Sequence, residues 1–146
     1  MVTTDDTGSM DGHFLAVGAV VLRGEKVLLG KHSPSRGGPW VGKWICPGGG
    51  LHFGEGLEEG AIREVHEETG LNIRIVRYIV TFDRTFHDMH VIYMDFLAEV
   101  PDAYAEPRAS SDLHEVQWFT KKEISELGDA LHEDTKTLLK LAGIIA

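Results

Sequence analysis

The residues that decide the fold are Gly49-Gly50-Leu51-His52-Phe53-Gly54-Glu55, followed after seven residues by Arg63-Glu64-Val65-His66-Glu67-Glu68-Thr69-Gly70-Leu71. The pattern is G-x5-E-x7-R-E-U-x-E-E-x-G-U, where U is an apolar residue, and every specified position is filled. It places four carboxylates and one guanidinium in a loop and about four helical turns. Since neighbouring like charges repel, this cluster indicates a bound divalent cation and chemistry at a phosphate ester or anhydride.

The second half of the pattern predicts a helix over residues 56–69, ended by Gly70 in the left-handed conformation. Apolar residues at helical spacing predict which stripe of this helix packs on the core. The members of that stripe are Leu57, Ala61, Ile62 and Val65.

The acidic residues of this helix are spaced so that their carboxylates share one face. Glu64, Glu67 and Glu68 stand at i, i+3 and i+4, beside the predicted core stripe. Unpaired charge next to an apolar surface is unfavourable, which argues against a simple solvated acidic face and favours a cleft between helix and sheet. The spacing also allows Arg63 to pair with Glu67 or to reach back to Glu55.

Composition and charge restrict the class of protein. A chain of 146 residues with 42% apolar and 25% charged residues fits one globular domain, which we place at residues 13–146 after a flexible tail at residues 1–12. The net charge of −9 argues against a nucleic-acid polymer or an anionic membrane as partner, but not against a small phosphorylated molecule. One cysteine, Cys46, and no visible signal peptide or membrane-spanning run lead us to expect a cytoplasmic protein.

The order of elements along the chain predicts a mixed α/β fold with helices packed on a mixed sheet. Strands are expected at residues 14–22, 26–30, 44–46, 72–82, 90–100 and 115–119. Pro47 and the glycines after it are expected to break the third of these. Helices are expected at residues 56–69, 121–127 and 130–141.

Residues Gly49 to Leu71 resemble a complete Nudix box, the signature of the Nudix hydrolases. The flanks resemble the family too, with Trp44-x-x-Pro47-Gly48-Gly49 before the box and Trp118 on a late strand. The resemblance covers Phe14 to the C-terminus. It implies the Nudix fold, an α/β (α+β) domain in which a mixed β-sheet is sandwiched between helices.

The resemblance also implies roles for individual residues. In such a site Mg²⁺, or Mn²⁺, is held by a backbone carbonyl and three carboxylates, which would here be those of Gly48, Glu64, Glu67 and Glu68. Glu55 and Arg63 would form a structural pair between loop and helix. Water would attack one phosphorus of a nucleoside diphosphate linked to another group, X. Three carboxylates remain open as activators of that water, Glu64, Asp112 and Glu115.

Residues outside the box set the substrate. The chain resembles the MutT-type nucleoside triphosphate pyrophosphohydrolases, which release pyrophosphate and a nucleoside monophosphate. The position about sixteen residues beyond the box, where the ADP-ribose subfamily commonly has proline, is His87, which argues against ADP-ribose without excluding it. An ADP-ribose or nucleotide-sugar pyrophosphatase is the alternative. A non-catalytic Nudix sensor is a further alternative, disfavoured by the intact box. A homodimer is possible by resemblance.

Candidate substrate contacts are basic and aromatic residues near the box. Phosphates or a base edge could meet Lys31, His32 and Arg36, and a base could stack on Trp40, Trp44, Phe53, Phe86 or Tyr93. Core packing is the alternative for each aromatic residue. Cys46 is expected to be a small buried apolar residue and not a nucleophile.

Overall fold

The central strand of the sheet is a β-branched run whose alternate residues face two different helical layers. The computed structural model describes residues 9–10, 13–36, 40–86 and 89–146. Within them the strands are β1 (Ser9–Met10), β2 (His13–Arg23), β3 (Lys26–His32), β4 (Gly48–Gly50), β5 (Arg74–Phe86), β6 (Met89–Glu99) and β7 (Leu113–Phe119). The helices are α1 (Leu57–Thr69), α2 (Lys121–Ser125) and α3 (Glu133–Leu141), with single 3-10 turns at Pro34–Arg36 and Gly128–Ala130.

The sheet is mixed, with the order β5-β6-β2-β3-β7. One edge of β2 pairs in parallel with β6 over ten residues, from His13 opposite His90 to Leu22 opposite Glu99. The other edge of β2 is shared by β1, β4 and β3, all antiparallel to it. Along this edge β4 lies between β1 and β3, and its glycines pair with residues in the middle of β2.

Helices cover both faces of the sheet, which confirms the expected sandwich. On one face, Ala19 and Val21 of β2 pack with Val65 of α1 in one apolar cluster. On the other face, Val20 packs with Leu138 and the rest of the α3 layer. The strict alternation along β2 follows from the two-residue period of a strand, and its uninterrupted apolar run reflects burial on both sides.

Helix α1 has the predicted ends but a different buried face. Gly56 is the N-cap residue, and Gly70 ends the helix with φ of 75°. Of the predicted core stripe, Ala61 and Val65 are buried, but Leu57 and Ile62 are 41% and 36% exposed, so half of that prediction is wrong. The helix is rotated so that Glu68 lies on its core side. The residues of the buried face are Gly60, Ala61, Val65, Glu68 and Thr69.

The segment around the box glycines also differs from expectation. Residues 44–46 were expected to form a strand broken by the following proline and glycines. Instead Trp44 and Ile45 make only isolated bridges, and the glycines Gly48–Gly50 form the strand. Glycine has low intrinsic strand propensity, but the close approach of β4 to β2 excludes side chains. A Cβ on Gly48 would lie 2.8 Å from the Gly18 Cα.

Two smaller differences concern element ends. The last helix begins at Glu133, capped by the His132 side chain, after the 3-10 turn at Gly128–Ala130. Ser9–Met10 pairs with His13 and Phe14, so the sheet begins inside the segment expected to be a tail. The rest of residues 1–12 lies outside the described residues. No helix in the described part of the chain is long and apolar enough to cross a bilayer.

Candidate active site around the glycine strand

The glycine strand β4 holds two of the box glutamates by its backbone. The Gly48 N–H donates a hydrogen bond of 2.7 Å to Glu68 Oε1, and Glu68 is only 2% exposed. The Gly49 backbone packs directly on the Glu64 carboxylate, because a Cβ built there would lie 2.6 Å from the carboxyl carbon. Glycine at these two positions allows the close approach, and the structure brings the glycine strand and the two glutamates together.

Arg63 joins the loop to the helix. Its Nε donates to Glu55 Oε2 at 2.6 Å, and its Nη2 donates to Glu55 Oε1 at 2.9 Å and to the Gly50 carbonyl at 2.8 Å. The hydrogen bond and charge of Arg63 lower the pKa of Glu55. Both partners are mostly buried, at 20% and 13% side-chain exposure. The predicted Glu55–Arg63 pair is thus formed in the structure.

The third nitrogen of the same guanidinium contacts two expected metal ligands. Arg63 Nη1 donates to Glu64 at 2.9 Å and lies 3.1 Å from Glu67 Oε2. Burial raises the pKa of Glu64, and the contact with Arg63 only partly offsets this effect. Arg63 therefore neutralises carboxylates that would repel one another in its absence.

The donor set is chemically suited to Mg²⁺ or Mn²⁺, although it is not a preformed cluster. Among the described residues, no three acidic, histidine or thiol groups are arranged closely enough to hold a metal ion. The residues that would do so, Gly48, Glu64, Glu67 and Glu68, nevertheless offer the hard oxygens that these cations require.

The loop before β7 is attached to the end of α1. The Ser110 N–H donates to the Glu68 carbonyl at 3.0 Å, and the Arg108 N–H donates to the Thr69 carbonyl at 2.9 Å. Asp112 follows two residues after Ser110, so this docking brings it toward the Glu68 end of the site. Glu115 instead lies on β7, opposite Lys31 of β3, and is exposed.

A cavity on the α3 side of the sheet borders the same glycines. It encloses about 110 Å³, and Gly48 and Gly49 form part of its wall. Most of its other residues are aromatic or aliphatic, and its polar side chains come from β3, β6 and the start of α3. The lining includes Phe14, Val17, His32, Trp40, Cys46, Phe82, Val91, Tyr93, Asp95, His132, Asp134 and Leu138.

Two aspartates of this cavity have different surroundings. Asp134 accepts hydrogen bonds from the Tyr93 hydroxyl and from Arg84, the latter at 2.9 Å. Burial acts to raise the pKa of Asp134, but these two bonds outweigh it and leave the pKa lowered. Burial, with a contribution from Asp134, raises the pKa of Asp95 to about 7. Burial also raises the pKa of the Cys46 thiol, which fits its expected role as a small packed residue.

The predicted substrate contacts fall into separate regions. His32, Trp40 and Tyr93 line the cavity, which brings three of them together. Trp44 is 8% exposed and packs on Phe119, and Lys31 Nζ lies 4.9 Å from the centroid of the Trp44 ring. Neither Trp44 nor Lys31 lines the cavity.

Of the remaining predicted contacts, only the side chain of Phe53 is described, and it does not meet the cavity. Phe53 is 80% exposed on the loop before α1 and is absent from the cavity wall. The side chains of Arg36 and Phe86 lie outside the described part of the structure, as does His87.

Sequence reasoning missed the polar end of the cavity, formed by Asp95, His132 and Asp134. A signal existed for Asp95, since it alternates with the apolar residues of β6 that face the α3 layer. His132 and Asp134 had none, because their position depends on where α3 begins. Asp134 N–H donates to His132 Nδ1 at 3.1 Å, and this cap directs both residues to the cavity.

The amino-acid sequence matches a protein-family model and is similar to several known proteins. A family model described as the NUDIX domain matches residues 12–141. An ADP-ribose pyrophosphatase of Methanocaldococcus jannaschii is 30% identical over 77% of this chain and 65% of its own length. A MutT-like protein of Streptomyces ambofaciens is 32% identical, with 78% and 68% covered. An NAD-capped RNA hydrolase NudC of Vibrio parahaemolyticus is 32% identical, with 76% and 40% covered. The chain thus spans about two fifths to two thirds of the length of these relatives.

Solved structures show the same fold. A MutT NUDIX hydrolase from Burkholderia pseudomallei superposes with a TM-score of 0.74 at 26% identity, covering 88% of this chain and 97% of that one. A MutT protein from Methanosarcina mazei Go1 has a TM-score of 0.74 at 25% identity, covering 90% and 94%. Both cover nearly the whole described domain.

Proposed function

This chain belongs to the Nudix hydrolase family, and from that premise we propose that it hydrolyses a phosphoanhydride bond in a nucleoside diphosphate linked to X. The substrate we place first is a nucleoside or deoxynucleoside triphosphate, which would be converted to a monophosphate and pyrophosphate. A small nucleotide, and not a nucleic-acid polymer or a membrane, is the partner that the net charge of −9 favours.

The observation that carries the proposal is the shared position of Gly48 and Gly49. Their backbone contacts Glu68 and Glu64 and also forms part of the cavity wall. A base held in the cavity would therefore place its phosphates beside the box carboxylates. A volume of about 110 Å³ suits one ring system, since sites for whole drug-sized ligands usually exceed about 300 Å³.

The residues of the box divide the work of binding and positioning. We propose that Gly48, Glu64, Glu67 and Glu68 hold Mg²⁺, with Mn²⁺ as a substitute. Such a cation, when bound, neutralises charge on the phosphate oxygens. The Arg63–Glu55 pair, with the bond from Arg63 to the Gly50 carbonyl, keeps the loop in place against α1.

In the proposed reaction the oxygen of water bonds to one phosphorus, and the P–O bond to the leaving phosphate breaks. A carboxylate accepts the proton lost by the water. Three residues can serve, Glu64, Asp112 and Glu115. Contact with the glycine strand favours Glu64, since Glu115 points from an exposed position on β7.

ADP-ribose is the second candidate substrate class, together with nucleotide sugars. The observation that favours it is the likeness to a protein named ADP-ribose pyrophosphatase, at 30% identity. A third possibility, binding without turnover, would make the protein a nucleotide sensor. The complete set of box carboxylates argues for turnover.

The decisive experiment is a substrate panel with product identification. The protein would be incubated with Mg²⁺ and, separately, canonical nucleoside triphosphates, oxidised nucleotides, ADP-ribose and nucleotide sugars, in water enriched in oxygen-18. Phosphorus NMR then identifies the products and the phosphorus that received the labelled oxygen. Glu68→Gln and a chelator are the controls, and Mn²⁺ is added back after chelation.

The outcomes separate the candidates. Release of pyrophosphate and a monophosphate, lost in the variant and with chelator, supports the first substrate class. Action restricted to ADP-ribose or nucleotide sugars replaces it by the second. Nucleotide binding without any product supports the sensor.

A cytoplasmic location and a homodimer complete the proposal. The location is supported by the single cysteine, Cys46, which is a free thiol and suits a reducing compartment. The dimer is supported by exposed apolar side chains on one edge strand, Val76 and Tyr78, each 52% exposed. Analytical ultracentrifugation tests the dimer, and a single monomer species would remove it.

A further inference from the structure

Asp95 is a buried carboxylate at the floor of the cavity. It lies on β6, where it pairs with Gly18 of β2, and it is 6% exposed. Its neighbours on the same face of β6 are Tyr93 and Leu97, which pack against the α3 layer. Among the described residues, no hydrogen bond to the Asp95 carboxylate is found. Burial and the charge of Asp134 raise its pKa.

The surrounding backbone leaves room for this carboxylate. A Cβ on Gly18 would lie 2.9 Å from Asp95 Oδ1 and 2.8 Å from the Pro47 carbonyl oxygen. Glycine at this position therefore keeps the side of Asp95 that faces the cavity open. A largely buried, ionised carboxylate without a hydrogen bond is unfavourable unless a ligand supplies the missing donors.

The other two residues of the polar end, Asp134 and His132, already make hydrogen bonds. Asp134 accepts from Tyr93 and Arg84, and His132 accepts the Asp134 N–H. Phe82 and Tyr93 are paired across β5 and β6, with ring centroids 5.2 Å apart, and together form one aromatic wall of the cavity. A flat ring with donors on its edge suits a cavity that has an aromatic wall and an acceptor beside it.

We propose that Asp95 selects the substrate base by accepting hydrogen bonds from two adjacent N–H donors, as a guanine-type ring presents. The proposal rests on the function proposed above, because it takes the cavity to be the base site. An ionised carboxylate accepts but cannot donate, so its two oxygens match an N–H beside an amino group. An adenine-type edge places a ring acceptor beside its amino group and would face the carboxylate with one mismatched position.

The ionisation of Asp95 agrees with this role. Its pKa is raised to about 7, so the ionised form is accessible near neutral pH. Hydrogen bonds from bound N–H donors stabilise the ionised form of a carboxylate. A base with the right edge would therefore complete the missing contacts of Asp95.

The test measures binding of nucleoside monophosphates by calorimetry, which needs no turnover. Guanosine and inosine monophosphates differ only by the 2-amino group, so their affinity ratio reports the second donor. The wild type should bind the guanosine compound roughly tenfold or more tightly, since an unmet buried partner disfavours the other. In Asp95→Asn that ratio should fall to about threefold or less, because the amide offers one acceptor in place of two.

A surface aspartate provides the matched control. Asp102 is exposed, and its carboxylate accepts only the N–H of Tyr104 in the described residues, so Asp102→Asn should keep the wild-type ratio. Equal affinity of the wild type for the two compounds overturns the proposal, as does an unchanged ratio in Asp95→Asn. The wild-type measurement is decisive even if the variant does not fold. Failure of the proposed function would appear separately, as absence of hydrolysis across the whole substrate panel.

Discussion

Arg63 and Glu55 are eight positions apart and are joined by two parallel hydrogen bonds, one from Nε and one from Nη2. Glu55 Oε1, which accepts the bond from Nη2, also accepts the His52 N–H at 3.0 Å. The loop before α1 is thereby closed by a side chain of the helix that follows it. The pair is a mostly buried, two-point contact, which is the arrangement that a lysine cannot reproduce.

Replacing Arg63 by lysine should destabilise the protein. Lysine loses the two-point contact with Glu55 and the bond to the Gly50 carbonyl, so we expect the free energy of unfolding to fall by about 2 kcal/mol. Denaturant unfolding measures this change. Arg74→Lys is the control, because its pair with Glu99 is 67% and 42% exposed and should contribute less than about 1 kcal/mol. Equal losses in the two variants would show that the Glu55 contact has no special role.

Glu68→Gln should separate activity from stability. The amide oxygen can still accept the Gly48 N–H, so we expect the melting temperature to change little. Loss of one charged ligand should lower turnover by about a hundredfold or more in the phosphorus NMR assay. Glu58→Gln, an exposed change in the first turn of α1, should leave both quantities as in the wild type. Full activity in the Glu68 variant would remove Glu68 from the site.

Gly49→Ala should displace a carboxylate without unfolding the domain. The new methyl group would overlap the Glu64 carboxylate, which is the flexible end of a side chain and can move. We therefore expect turnover to fall by about tenfold or more, with a loss of stability below about 2 kcal/mol. In Gly56→Ala the corresponding overlap is with the exposed Glu59, so turnover should be retained. Wild-type turnover in Gly49→Ala would contradict the placement of Glu64 against the glycine strand.

Stability should depend on pH through Asp95. Its pKa is about 7 in the folded protein and has an ordinary value of 3.8, so the folded state binds more protons between these values. Stability is therefore lost as the pH rises from about 4 to about 7, because the unfolded chain ionises first. Asparagine resembles the protonated form, so Asp95→Asn should match the wild type near pH 4 and exceed it above pH 7. A difference in stability between the wild type and Asp95→Asn that stays constant from pH 4 to pH 8 would show that Asp95 has an ordinary pKa.

Much of the box geometry was predictable because it depends on local helical spacing. The i, i+4 relationship of Arg63 and Glu67, the reach back to Glu55 and the left-handed Gly70 all follow from positions close together in the chain. The class of fold followed equally well, because alternation and turn residues mark most strands.

The parts that depend on distant pairing were not predictable. Gly48–Gly50 forms a strand because it pairs with β2, although glycine has a low intrinsic strand propensity. The exposure of Leu57 and Ile62 depends on how α1 is rotated over the sheet, which Glu68 and its bond to Gly48 help to fix. The cavity joins β2, β6 and α3, which are separated by many residues, so its polar end could not be read from any one segment.

Gly48 and Gly49 form a boundary without side chains between the cavity, which would recognise a molecule, and the box carboxylates, which would take part in its cleavage. If a ring binds in the cavity as proposed, substitutions around Asp95 and Tyr93 would change which ring is accepted while the carboxylates of α1 keep their contacts. The separation between that ring and the bond to be broken would be set by the width of a single backbone. A molecule would then be chosen both by its ring and by the length of its connection to the phosphates, so that the strand acts as a fixed spacer.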